Sequence, residues 1–153
     1  MAKSNDLVVF TLDEQRYALR VSSVQRVIRA VEIIPLPKAP EIVLGMVNVQ
    51  GRIIPVFNIR KRFRLPEREL ELSDQIVLAR TSRRTVGLVV DAVSGVLELS
   101  ESEILSPDDI VPETEYVEGV VKLKDGLVLI HDLNRFLSLD EERTLDASLN
   151  IDG

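Results

Sequence analysis

The 153-residue chain contains one histidine, His131, beside Asp132 in the run LVLIHDL. An imidazole next to a carboxylate could orient a proton transfer. Neighbours along an extended strand point to opposite faces, however, so this pair cannot form a triad. The sequence has no glycine-rich phosphate loop, no nucleophile elbow and no histidine–acid spacing suited to a metal. It also has no cysteine, which excludes disulfides, thiolate zinc sites and cysteine nucleophiles and suits a reducing cytosol. Residues 98–118 carry eight acids (Glu98, Glu101, Glu103, Asp108, Asp109, Glu113, Glu115, Glu118) and no base. No apolar pocket nearby is expected to raise their pKa values. Arg60, Lys61, Arg62 and Arg64 form a basic cluster. The two charge runs read either as solvated loops and an exposed helical turn or as surfaces that steer protein partners. The formal net charge of −6 supplies no field to attract phosphate, which argues against a nucleic-acid binder. The expectation is a binding protein with no catalytic residue, cofactor or metal.

The elements that position these residues are mostly strands. A chain of this length buries roughly 68–70% of its unfolded surface and needs no staple to fold. The start, MAKSNDLVVFTLDEQ, lacks the apolar core of a signal peptide, and no run approaches the ~18 apolar residues of a membrane span. A soluble, intracellular chain is expected. LVVFTL and RYALRV alternate in hydropathy around a polar DEQ, as strand, turn and strand. MVNVQGRIIPVF, QIVLART with TVGLVV, and GVVKLKDGLVLI repeat that form. In the last, Asp125-Gly126 signals a tight hairpin with positive φ. Pro55 lies within an apolar strand and cannot donate to a ladder, so that strand is expected at an edge or bulged. IIPLPKAP must be an extended connector. After IHDLNRFL, Leu133, Phe136 and Leu137 share a helical face, and DEERTLDASLN continues as a polar, fraying helix and tail.

Self-comparison reveals a repeat. A shift of 69 places Leu19 over Leu88, Val21 over Val90, Val24 over Val93 and Val27 over Val96. A shift of 74 places Gly45 over Gly119, Val47 over Val121 and Asn58 over Asp132. Two related units of about five strands, residues 7–63 and 74–137, follow, between a flexible tail at 1–6 and a C-terminal helix and tail at 139–153. The valines after each first hairpin either belong to the core or border a shallow apolar groove that accepts a partner's helix.

Taken together, GMVNVQGRIIPVFNIRKRF, RYALRVSSVQRVIR, TVGLVVDAVSGVLELSESEI and GVVKLKDGLVLIHDLNRFL resemble the CheW family of chemotaxis adaptors over residues 7–138. The first stretch follows the family pattern G-x-x-N-x-R-G-x-x-x-P-V-x-D-L-R. The resemblance implies an all-β fold of two five-stranded SH3-like barrels, in which chain segments can interleave. It implies a cytoplasmic, non-catalytic scaffold, recruited to membrane-associated receptor arrays without inserting into the membrane. Its partners would be the signalling tip of chemoreceptors and the regulatory domain of a CheA-type histidine kinase, with no nucleic acid. Carried over by position, the receptor groove would use Val24, Arg26, Gly45, Gln50, Gly51, Val93 and Val96. Asn48, Pro55, Asn58, Arg60, Gly119 and Asp132 are motif or structural positions.

This chain departs from the pattern at three places. Gln50 stands where the family usually has arginine, and Arg26 where it often has glutamate. The exchange is expected to keep local charge level while changing which partner is accepted. Asn58 replaces the usual aspartate. Two other readings compete: an adaptor for surface motility or gene regulation, and a nucleic-acid-binding small barrel. The latter needs exposed aromatics on a basic face. Phe10, Phe57, Phe63 and Phe136 sit instead in apolar strands or helical turns.

Overall fold

The computed structural model describes residues 6–29, 33–106, 117–135 and 139–150. Among the described residues the alternating aliphatic runs form ten strands. These are β1 (Leu7–Leu12), β2 (Gln15–Arg20), β3 (Val24–Arg29), β4 (Val43–Val49), β5 (Arg52–Phe57), β6 (Gln75–Arg80), β7 (Thr85–Val90), β8 (Ala92–Leu97), β9 (Val117–Leu123) and β10 (Gly126–His131). Two helices join them, α1 (Ile59–Arg62) and α2 (Leu139–Asn150). Acids Asp108, Asp109, Glu113 and Glu115, and Phe136 and Leu137 of the expected helical face, lie outside the described residues, as does most of the proposed N-terminal tail.

The strands make two five-stranded sheets, β8-β1-β2-β10-β9 and β3-β6-β7-β5-β4. They are the sheets of two SH3-like subdomains, and each draws strands from both sequence repeats. Strand β3 leaves the first hairpin to pair with β6, and β8 crosses back to pair with β1. The two crossings match pair for pair: Val24↔Ala79 corresponds to Val93↔Phe10, and each ladder shifts register beside that pair.

Two glycines let the connectors cross. Gly45 and Gly119 are buried on β4 and β9, beside the single bridges Ile34↔Met46 and Leu105↔Val120. A Cβ on Gly45 would stand 2.4 Å from the Ile34 carbonyl oxygen, and one on Gly119 would stand 2.6 Å from Ile104 Cγ2. The connectors therefore pass where any larger residue would sit.

Pro55 departs from its expected position. Strand β5 is interior, between β4 and β7, and Pro55 faces Met46 across the β4 ladder. Its effect falls on the other side. The parallel β5–β7 ladder holds Val56↔Gly87 and Phe57↔Leu88, and thus begins just past Pro55. The matching β2–β10 ladder continues through Leu129↔Tyr17 and Val128↔Arg16. Proline, lacking an N–H, ends the ladder where its counterpart goes on.

The last hairpin forms one residue earlier than Asp125-Gly126 suggests. Leu123 pairs with Gly126, so Lys124-Asp125 make the turn and the positive φ of 143° falls on Gly126.

A central apolar cluster joins the sheets through Phe10, Leu12 and Leu19 from one and Val77, Val86 and Leu88 from the other. Each sheet also encloses its own smaller cluster. Helix α2 is more than the polar continuation its sequence suggests. Leu145 is fully buried in the central cluster, and Ser148 is buried one turn on. Arg62 binds Glu141 at 2.6 Å, and Arg84 pairs with Asp146.

Candidate functional site

Strands β3 and β8 are equivalent edge strands, one in each sheet. Val24 and Val93 are half-buried on them, and both pack against the central cluster. A hydrogen bond from the Val93 N–H to Gln75 Oε1, 2.8 Å, fastens β8 to the start of β6 in the other sheet. The two valines therefore belong to the seam between subdomains. Val96, three residues further along β8, is 63% exposed, whereas its counterpart Val27 packs inward. Arg26 is exposed on the β3 edge.

Gln50 and Gly51 form the β4–β5 turn, with φ of 52° and 84°. Both are exposed, and the Asn48 side chain holds the turn by accepting the Gly51 N–H at 2.9 Å. Strands β3, β7 and β5 run in the same direction, as the antiparallel β3–β6 and β6–β7 ladders and the parallel β7–β5 ladder require. Val24 at the start of β3 and the turn before β5 thus stand at the same end of the sheet. Gly45 does not join them: it is buried under the connector in mid-strand.

The basic run after β5 differs from its sequence reading. Only Lys61 and Arg64 are exposed. Arg60 has a side chain 9% exposed and lies 2.8 Å from Asp13 and 2.6 Å from Asp91. It also donates to the Pro66 carbonyl at 2.9 Å. Arg68 bridges Asp91 and Asp74, each at 2.6 Å. The Asp13 N–H completes the cluster by donating to Asp91 Oδ2 at 2.9 Å. Burial pushes the carboxyl pKa values of Asp91 and Asp74 up, but bonds from backbone N–H groups and the guanidiniums outweigh it, and both end lowered. Burial lowers the Arg60 pKa, yet Asp91 and Asp13 raise it overall. This network ties the β1–β2 turn, the β7–β8 junction and α1 together, so Arg60 is a clamp between the sheets.

The weaker counterpart of that clamp lies at the other seam, where Asn134 accepts the Ser82 N–H at 2.8 Å. Asn134 is 74 residues after Arg60, and Ser82 is 69 after Asp13. Asn58 caps α1 through the Lys61 N–H at 3.2 Å and donates to Glu67 at 2.8 Å. Its counterpart Asp132 is half-buried ahead of the turn Leu133–Arg135.

His131 is buried and meets Phe63 edge-on at 5.0 Å, and Phe63 stacks on Tyr17 at 4.7 Å. Burial, with Arg62 nearby, pushes the imidazole pKa down to about 3. Phe10 and Phe57 are also buried, so these rings offer no platform for bases. No metal-binding cluster of acids and histidine occurs among the described residues. No described helix is long and apolar enough to cross a membrane.

Sequence reasoning missed Asp13, Arg68, Asp74 and Asp91. Asp13, Asp74 and Asp91 sit at turns or strand ends and Arg68 in the loop before β6, where a charge ordinarily reads as solvated. Their only signal was that Asp13, Asp74 and Asp91 flank strands that pair across the repeats.

The profile of the CheW-like domain matches residues 6–141. The chemotaxis protein CheW of Thermotoga maritima is 32% identical over 135 residues, covering 88% of this chain and 89% of its own length. That of Treponema pallidum is 29% identical over 145 residues, covering 91% of this chain and 85% of its own. Among solved structures, the scaffolding protein TtCheW from Thermoanaerobacter tengcongensis is 31% identical and covers 91% of this chain and 96% of that one, with a TM-score of 0.82. With the profile, the chain-length identity and the fold in agreement, this chain belongs to the CheW family of chemotaxis scaffold and adaptor proteins.

Proposed function

We propose that the chain couples the cytoplasmic tips of chemoreceptors to a CheA-type histidine kinase, without performing catalysis itself. The observation that carries this reading is the seam. Equivalent valines on two edge strands, Val24 and Val93, meet one central cluster, while Val96 on the same edge is 63% exposed. A partner helix reads such a surface through spaced apolar anchors. The Gln50-Gly51 turn and Arg26 border it, and the neutral side chain at Gln50 with the cation at Arg26 sets which receptors are accepted. The kinase's regulatory domain binds exposed ends of the subdomains. Work at the receptor tips places the protein in the cytoplasm, recruited to arrays.

The test is binding of a receptor signalling fragment to Val96→Asp and Val24→Ser. Val96→Asp is expected to lose receptor affinity while keeping the unfolding transition and kinase binding. Val24→Ser is expected to lose receptor affinity with a lowered unfolding midpoint, since Val24 also packs against the central cluster. Undiminished receptor binding would move the site elsewhere.

A further inference from the structure

The relation between the sheets lets each surface pair be compared with its counterpart. In one sheet Arg20 on β2 and Glu118 on β9 close over β10 with an ion pair of 2.9 Å. The equivalent residues, 69 and 74 positions away, are Val89 on β7 and Leu44 on β4, which flank β5. Two aliphatic side chains thus replace an ion pair, and they leave an opening. With Ile33 and Leu70 they line a cleft of about 330 Å³. Leu44 and Leu70 are 43% and 41% exposed. Such a volume accommodates a buried ligand group.

The polar part of the cleft limits what can enter. Arg60 and Arg68 form it together with Asn58 and Asp74. Both guanidiniums are already held by carboxylates, Arg60 by Asp13 and Asp91 and Arg68 by Asp74 and Asp91. An anionic ligand would have to displace those partners. The loop along the rim carries Glu67, Glu69 and Glu71, all exposed, against Arg64 and Arg68. Asn58 donates to Glu67 at 2.8 Å and Arg68 lies 3.7 Å from Glu71, so the loop keeps an excess of one carboxylate. In the same loop Leu72 is 96% exposed.

We propose that this cleft receives a large apolar side chain from a partner protein, on a segment with lysine or arginine to either side. The aliphatic wall takes the anchor and the glutamate rim attracts the flanks, which favours correct charge and repels an acidic segment.

The full chain, with labelled methyl groups, is titrated with two short peptides that share a Phe-Leu pair. One is flanked by lysines, the other by glutamates. The lysine peptide should give saturable NMR shifts at Leu44, Leu70 and Val89, with affinity higher by about tenfold or more at low salt. Leu44→Glu combined with Val89→Arg installs the sister sheet's ion pair and should abolish the shifts. If that pair disturbs folding, Leu70→Asp on the exposed rim should weaken binding with the core intact. Val96→Asp should leave binding unchanged, which separates this cleft from the receptor surface. Absence of saturable shifts, equal binding of both peptides, or shifts centred on β3 and β8 would overturn the proposal.

Discussion

Arg60 Nη2 lies 2.6 Å from Asp91 Oδ1, and Asp91 is the single residue between β7 and β8, where the chain passes from one sheet to the other. The pair therefore holds the crossing itself. Removing one partner of a buried pair typically costs about 3–5 kcal/mol. The Asp91 side chain is 27% exposed, so Asp91→Asn is expected to cost less, about 2 kcal/mol. Since Asp91 and Asp74 have lowered pKa values in the fold, their contribution is complete above the ordinary carboxylate range. It fades as pH falls below that range. Urea unfolding should show a gap between wild type and variant at neutral pH that narrows in acid.

Gly45 and Gly119 make a second, steric prediction. At Gly45 the obstacle is a backbone oxygen at 2.4 Å, which cannot rotate away. Gly45→Ala should destabilise by about 2–4 kcal/mol. At Gly119 the obstacle is a side-chain methyl at 2.6 Å, so Gly119→Ala should cost less, about 1–2 kcal/mol. Gly51→Ala meets no atom within 4 Å and should show only the strain of its positive φ, about 1 kcal/mol. Chemical unfolding of the three variants checks the order.

Gln50 holds a φ of 52°. Asparagine visits that region more readily, so Gln50→Asn should raise stability by a few tenths to about 1 kcal/mol. A double-mutant cycle of Arg26→Glu and Gln50→Arg, read by receptor binding, tests whether the two positions select the partner together. Coupling beyond about 0.5 kcal/mol supports that selection, and additivity removes it.

His131 supplies a pH signature. Its pKa is lowered to about 3 in the fold, so the unfolded chain binds a proton first as pH falls below the ordinary histidine range. Stability present at neutral pH should decline between about pH 6.5 and 3. His131→Phe should fold and flatten that slope in urea titrations at several pH values, with adaptor function retained.

The repeat was readable because shifts of 69 and 74 align strands that prove equivalent in the ladders. Strand positions followed from alternation, which records which face is buried. Charge placement was harder to read. Arg60 sits among four cations that look solvated in sequence, and its burial depends on Asp13 and Asp91, brought in by a crossing that local pattern does not encode. The docking of α2 was hidden for a similar reason. Leu145 and Leu149 are its only described apolar contacts with the central cluster, too few to mark a face. Gly45 carried a correct structural signal, a glycine repeated at Gly119, but it serves the connector crossing and lies away from the surface.

The most direct measurement of the adaptor role mixes the chain with its cognate kinase and a receptor signalling fragment and follows kinase activity and co-assembly. Receptor stimulation and three-way assembly should require the chain, and Val96→Asp should reduce both by about tenfold with the fold intact. A kinase equally active without the chain, or full assembly with Val96→Asp, would contradict the account.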